Sequence, residues 1–132
     1  MTTNEALTMI AVIFEVWPAD DNRRQDYMAI AADLHADLNA IDGFVSVERF
    51  QSLSDPDKLL SLSYWRDEEA VARWRNQPAH RKSQAAGRSG IFKDYRLRVA
   101  NIIRDYGLGR RDQAPADSVA GNRHKHCSRA RW

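Results

Sequence analysis

The sequence predicts an α+β protein in which helices cover one face of a four-stranded antiparallel sheet. Three observations predict it: apolar segments of strand length, amphipathic segments of helix length, and their order β-α-β-β-α-β along the chain. That order is typical of a ferredoxin-like, split βαβ fold. The first strand is apolar on both sides, and exposed apolar faces of that size are unusual in monomers. We therefore expect a second copy of the chain to cover the face that the helices leave open.

The first half of this pattern is a strand followed by one long helix. Residues 8–17 are rich in β-branched and aromatic types, and Pro18 ends the run. From Arg23, apolar residues recur at spacings of three and four, which predicts an amphipathic helix of about twenty residues that ends at Gly43. Three side chains before it are suited to cap its first turn: Asp20, Asp21 and Asn22.

The second half contains a hairpin, a second helical region and a last strand. Three segments have the composition of strands: residues 44–52, 58–65 and 94–105. The first two are separated by the turn-forming sequence at 55–57. Acidic residues 67–69 predict a helix start, because the helix dipole favours negative charge there. Pro78 then restarts the chain into a short helical segment that extends to about Arg88.

Length and composition indicate one globular domain with a basic tail. The chain has 132 residues, of which 43% are hydrophobic and 29% are charged. Residues 1–106 carry 14 Lys and Arg against 16 Asp and Glu, whereas residues 107–132 carry 6 against 2. We therefore assign residues 1–106 to the folded domain and residues 107–132 to an extended or disordered tail. The net charge of +2 does not form a face that would bind nucleic acid.

The single cysteine and the short apolar segments indicate where in the cell the protein is located. Cys127 is the single cysteine, so no intrachain disulfide is possible, and we expect a cytoplasmic protein. No apolar run approaches the roughly 20 residues of a membrane helix. The first seven residues contain no basic side chain, which argues against a secretory signal.

Several segments together resemble the antibiotic biosynthesis monooxygenase (ABM) superfamily of dimeric α+β barrels. The resembling parts are residues 9–16, residues 42–48, the pattern Trp65-x-Asp-Glu-Glu-Ala…Trp74, and the sequence Pro-Ala-His-Arg from Pro78. With a weaker C-terminal stretch, the resemblance covers residues 9–118. It implies a homodimer that forms a dimeric α+β barrel. It also implies oxygenation of a small aromatic or quinol-like compound without metal or flavin.

Oxygenation without a cofactor requires an apolar pocket and a proton acceptor. We expect four side chains to bind the substrate: Phe14, Val16, Trp65 and Trp74. His80 is the candidate catalytic base, because a histidine in the first turn after Pro78 feels the positive end of the helix dipole, which favours neutral imidazole. Simpler roles stay open: both tryptophans are also suited to core packing, and His80 to a surface or helix-end position.

Two other functions remain as alternatives. One is a dimeric protein that binds a small ligand or acts in stress without catalysis. The other is haem degradation, since a branch of the resembled superfamily binds haem through a histidine ten residues after the helix tryptophan. That position is Gln84, and the asparagine of that branch's first strand is missing from residues 13–16. In the tail, His124, His126 and Cys127 lie close together, but no second cluster completes a metal site, so we expect neither a metal nor another cofactor.

Overall fold

The computed structural model describes residues 9–86 and 90–117 and confirms the α+β fold. Its elements are β1 (Met9–Pro18), α1 (Asp21–Asp33), α2 (His35–Asn39), β2 (Phe44–Gln51), β3 (Leu59–Trp65), α3 (Glu68–Arg75), α4 (Pro78–Ala86) and β4 (Phe92–Ile102). Tertiary contacts divide the chain into two units after Asn101. The boundary that we placed at residue 106 stays a prediction, and His124, His126 and Cys127 lie outside the described residues.

The four strands form one sheet in the order β2-β3-β1-β4. Strand β3 pairs antiparallel with both neighbours, and its register with β1 places Phe14 opposite Ser61 and Ile10 opposite Trp65. In β2, an irregularity between Phe44 and Ser46 inserts Val45 as an extra residue. This strand order, with two antiparallel pairs around β3, is the topology of the predicted ferredoxin-like fold.

The predicted twenty-residue helix is wrong in one respect, because it is divided at Leu34. Helix α1 begins after Asp20, whose carboxylate accepts a 2.8 Å hydrogen bond from the Arg23 backbone N–H, as the sequence predicts for a cap. Leu34 has φ −81° and ψ −8°, which departs from regular α-helical geometry. It is the C-cap residue of α1 and the residue before α2 begins. Leu38 lies one turn after Leu34 and packs in the core, where it is 5% exposed.

One face of the sheet carries the core. The side chains of β1 at even positions face the helices, as the clusters around Ile10 and Val16 show. The first cluster joins the sheet to α2 and α3 through Leu38, Trp65 and Trp74. The second joins it to α1 through Tyr27.

The start of α3 is held against the turn before β2. The Asp67 carboxylate accepts a 2.8 Å hydrogen bond from the Ala70 backbone N–H, which confirms the predicted helix start. The Gly43 carbonyl accepts a 2.7 Å hydrogen bond from the Arg66 backbone N–H. Gly43 has φ +97°, and a Cβ built on it would lie 2.6 Å from the Ala70 Cβ. This close approach leaves no space for a side chain at position 43. The first turn of α3 therefore packs directly against the turn that contains Gly43.

The opposite face of the sheet is apolar at its centre. Ile13 and Leu62 are paired across β1 and β3, and both are only partly buried. Phe50 on the same face is 41% exposed. Beside them, Glu15 forms ion pairs with Lys58 at 2.8 Å and with Arg98 at 2.9 Å. The face therefore combines an apolar centre with a paired charge cluster.

Candidate active site

A cavity of about 300 Å³ lies between the sheet and the helices. Its walls come from all four strands and all four helices, and most of the wall is apolar or aromatic. Besides two tyrosines, the polar side chains in the wall are Arg49, Ser61, Ser63, Arg75, His80 and Gln84. This volume lies at the lower end of the range for small-molecule sites, which suits a compound with one or two rings.

An aromatic cluster forms one part of the wall. The Phe14 ring centroid lies 5.9 Å from that of Phe92, 5.8 Å from that of Tyr95 and 6.4 Å from that of Tyr27. The rings meet in tilted or edge-to-face arrangements, which are the favoured geometries of aromatic pairs. Phe14 lines the cavity, as expected from the sequence.

Both tryptophans expected in the pocket line the cavity, and both also belong to the core. Trp65 is 2% exposed, and its Nε1 donates a 2.9 Å hydrogen bond to the Ser63 hydroxyl. Phe44 packs edge-on against Trp65 at 5.1 Å. Trp74 is 9% exposed and lines the same cavity from α3. The two roles weighed from the sequence, wall and core, therefore coincide in these residues.

His80 lines the cavity from the first turn of α4. Its ring centroid lies 4.8 Å from that of Trp74. Burial lowers the pKa of His80 below its ordinary value of 6.5, and the positive charges of Arg75 and Arg81 act in the same direction. A hydrogen bond to the Arg75 backbone carbonyl partly opposes this shift in pKa. Burial is therefore the largest cause that favours the neutral imidazole, and the effect of the helix dipole stays a prediction.

The Nδ1 atom of His80 is shielded from solvent and has no hydrogen-bond partner in the described part of the chain. A buried polar atom without a partner is rare in native structures and calls for an explanation. Because Nδ1 is enclosed by protein, this atom does not itself contact the open space of the cavity, although His80 is a wall residue.

Val16 does not line the cavity, contrary to the expectation that it binds substrate. It is 0% exposed and packs in the core cluster with Tyr27, Leu59 and Ile91. Val16 shares a sheet face with Phe14 but lies opposite Leu59, two residue pairs nearer the end of the strand. At that level the side chains close over the sheet and leave no space.

Arg49 is a cavity residue that the sequence interpretation missed. It is partly buried on β2, and its Nε is shielded from solvent without a partner among the described residues. Simple alternation from Phe44, which packs on the core, assigns Arg49 to the opposite face of the sheet. The extra residue Val45 reverses that alternation and turns Arg49 into the cavity. The sequence did contain one indication: Arg49 lies two residues after Val47, which packs against the core, so the two side chains share a sheet face.

The family follows from comparison with known proteins. The model of the antibiotic biosynthesis monooxygenase family matches residues 9–86. The chain belongs to this family. A jasmonate monooxygenase from Pyricularia oryzae is 45% identical to this ABM-family chain over 94 residues, which are 71% of this chain and 43% of that protein. The chain thus spans less than half the length of that relative.

Solved structures share the fold of this ABM-family chain. A conserved protein from Methanosarcina mazei Go1 superposes with a TM-score of 0.65 at 15% identity, over 75% of this chain and 97% of its own. A cofactor-independent oxygenase from Streptomyces nogalater superposes with a TM-score of 0.61 at 14% identity, over 76% of this chain and 97% of its own. At these identities the likeness shows the fold.

The described wall of the cavity in this ABM-family chain contains few side chains that bind metals. No group of three His, Cys, Asp or Glu side chains in the described residues is placed to hold a metal ion. Gln84, at the position where the haem-degrading branch would have its histidine, lines the cavity with an amide. Imidazole, thiolate, thioether and phenolate are the usual haem ligands, so this position does not fit haem iron. Within residues 9–86 and 90–117, no helix is long and apolar enough to cross a membrane.

Proposed function

We propose that this ABM-family protein binds a small, mostly apolar ring compound, aromatic or quinol-like, in the cavity and oxygenates it without metal or flavin. The observation that carries the proposal is the aromatic cavity wall beside His80, whose pKa burial holds below 6.5. An apolar wall binds the ring, and a neutral imidazole accepts a proton from it. The Pyricularia relative is named for jasmonate, whose ring is an aliphatic cyclopentanone, so the name supports a small ring compound but not an aromatic one.

The chemistry requires a substrate that becomes electron-rich when it loses a proton. His80 takes the acidic proton of a phenol or enol, and the resulting anion donates electrons to dioxygen. In the conversion of a ring CH₂ to a carbonyl, one oxygen atom enters the product and the other leaves as water. This balance consumes one O₂ and needs no external reductant. The low polarity of the wall strengthens hydrogen bonds to the developing oxyanion.

Oxygen uptake with His80→Gln tests the proposal. Jasmonate and a set of anthrones and hydroquinones are the first compounds to assay. For any substrate, we expect the variant to lose about 100- to 10,000-fold in turnover, as is typical when a positioned base is removed. The matched control is His35→Gln, because His35 is exposed on α2 and does not line the cavity.

Two outcomes would contradict the proposal. Full turnover by His80→Gln would remove the catalytic role of the imidazole. Tight binding of ring compounds with no oxygen uptake from any of them would favour the alternative, a non-catalytic ligand-binding or stress protein.

We also propose that the protein acts as a homodimer in the cytoplasm. Its dimer interface would be the apolar face of the sheet opposite the helices, which contains Ile13, Phe50 and Leu62. Two such faces packed together would give the dimeric α+β barrel that the family resemblance implies, with a two-fold, self-complementary contact.

A further inference from the structure

The cavity carries positive charge without a negative partner. Arg49 is partly buried in its wall, and the Nε atom is shielded from solvent with no hydrogen-bond partner in the described residues. Arg75 adds a second guanidinium at an exposed position of the wall. Among the described residues, no Asp or Glu side chain lines the cavity. A shielded donor of a charged group is costly unless an acceptor satisfies it.

Three other arginines of the described chain have carboxylate partners. Arg23 pairs with Asp26, Arg66 with Asp42, and Arg98 with Glu15, at distances between 2.9 and 3.2 Å. These pairs lie on exposed surface, where water also satisfies the charges. Arg49 differs because its side chain enters an apolar cavity instead. A ligand in the cavity can supply an acceptor to the terminal N–H groups of this guanidinium, whereas the Nε atom itself is enclosed by protein.

The floor of the cavity is arranged as a row of three side chains. Arg49 pairs with Ser61 across β2 and β3, and Ser61 pairs with Phe14 across β3 and β1. All three line the cavity. Adjacent strands are about 4.8 Å apart, so the backbone positions that carry the guanidinium, the hydroxyl and the aromatic ring span about 10 Å. This row matches a ligand with an anionic group at one end and an apolar ring at the other.

We propose that Arg49 binds the carboxylate of the cavity's ligand, so that the substrates are small, ring-containing carboxylic acids. The proposal rests on the function proposed above, because it assigns the substrate class of the same cavity. The planar guanidinium presents paired N–H donors that match the two oxygens of a carboxylate. The Ser61 hydroxyl lies beside it as a further donor. The ring then lies toward Phe14, within the aromatic part of the wall.

Binding of matched acids and esters tests this assignment without requiring turnover. The probes are 2-naphthoate and methyl 2-naphthoate, together with jasmonic acid and its methyl ester. Affinities are measured by titration calorimetry on the full chain. In the unmodified protein, we expect at least one acid to bind about 10- to 100-fold more tightly than its ester, as charge-assisted hydrogen bonds typically give.

Arg49 variants separate recognition of charge from a structural role. Arg49→Gln should weaken binding of the acid to the level of the ester and leave the ester unchanged. Arg49→Lys keeps the positive charge but loses the planar pair of N–H donors, so it should retain part of the preference for acid over ester. This second variant keeps the test valid if the glutamine variant does not fold. The control for net charge is Arg104→Gln, because Arg104 is exposed and does not line the cavity.

Several results would overturn the assignment. One is equal affinity of acid and ester for the unmodified protein, and another is a loss in Arg49→Gln that is the same for both. A lack of binding by both acids would also overturn it. A clear preference for acids that disappears in Arg49→Gln supports it even if no acid causes oxygen uptake, and in that case only the proposed oxygenation fails.

Discussion

His80 shows how one residue acquires a function from its surroundings. The same side chain on the surface would titrate near 6.5, but burial beside Trp74 and two nearby arginines lowers its pKa. A base whose pKa is lowered stays neutral at mildly acidic pH, where an ordinary histidine is partly protonated. The imidazole of His80 therefore stays neutral over a wider range of pH than that of an exposed histidine.

The lowered pKa of His80 predicts a pH-dependent stability. Below pH 6.5 the unfolded chain takes up a proton at this position that the folded chain takes up only at lower pH. The free energy of unfolding should therefore fall as the pH drops through 6.5 and level off below the folded-state pKa. Urea denaturation across this range should show a smaller fall for His80→Gln. Identical pH profiles for both proteins would contradict the lowered pKa.

Of the five side chains that the sequence predicted for the site, Phe14, Trp65, Trp74 and His80 line the cavity. The fifth, Val16, does not, and Arg49 was not predicted. Alternation gives the face of a residue but not its level along the strand, and Val16 lies where the core closes. The phase of Arg49 depends on the extra residue Val45, and a bulge leaves little trace in composition. The pKa of His80 depends on packing between elements, which a single sequence does not specify.

At the scale of elements, α3 joins the core to the cavity through Trp74. The ring is 9% exposed and belongs to the core cluster that also contains Trp65 and Ala70. Trp74→Ala should lower the free energy of unfolding by about 3–5 kcal/mol, because it removes a large buried ring and leaves a void. Guanidinium denaturation measures the loss. Glu69→Gln, at an exposed position of the same helix, should change the stability by less than about 1 kcal/mol.

The contact between Gly43 and α3 gives a second element-scale prediction. Gly43→Ala should lower the free energy of unfolding by about 1–3 kcal/mol, since the new methyl group meets the Ala70 Cβ and φ is +97°. Gly90→Ala separates the two causes, because Gly90 has φ +111° but no atom of the described residues within 4 Å of its Cβ position. We expect Gly90→Ala to be the milder change in thermal denaturation. Equal losses would mean that backbone strain alone accounts for the effect at Gly43.

The division of the first helix was not predictable from its apolar spacing. Ile30, Leu34 and Leu38 follow one stripe whether the helix is continuous or bent at Leu34. The sequence there contains neither glycine nor proline, which are the usual causes of a break. We therefore attribute the interruption at Leu34 to the packing of α1 and α2 against the sheet, which is a tertiary property.

At the scale of the whole molecule, the outer face of the sheet predicts the oligomeric state. A homodimer should sediment at twice the 15.1 kDa of the chain. Leu62→Asp should convert it to a monomer, because a carboxylate at the centre of an apolar interface would be desolvated without a partner. Analytical ultracentrifugation at micromolar concentration measures both. Leu53→Asp, the same change at an exposed position in the loop between β2 and β3, is the matched control. A stable monomer of the unmodified chain would rule out the dimer.

The alternation of β1 side chains between the two sheet faces limits which mutations the strand can accept. Even positions of the strand build the cavity and core, whereas odd positions such as Ile13 build the opposite face. Deletion of one codon within β1 would reverse this assignment for every residue that follows in the strand. Ligand binding and subunit association would be lost together, although each residue type is retained. Point substitutions alter one face at a time, so we expect divergence within this strand to proceed by replacement and not by changes of length.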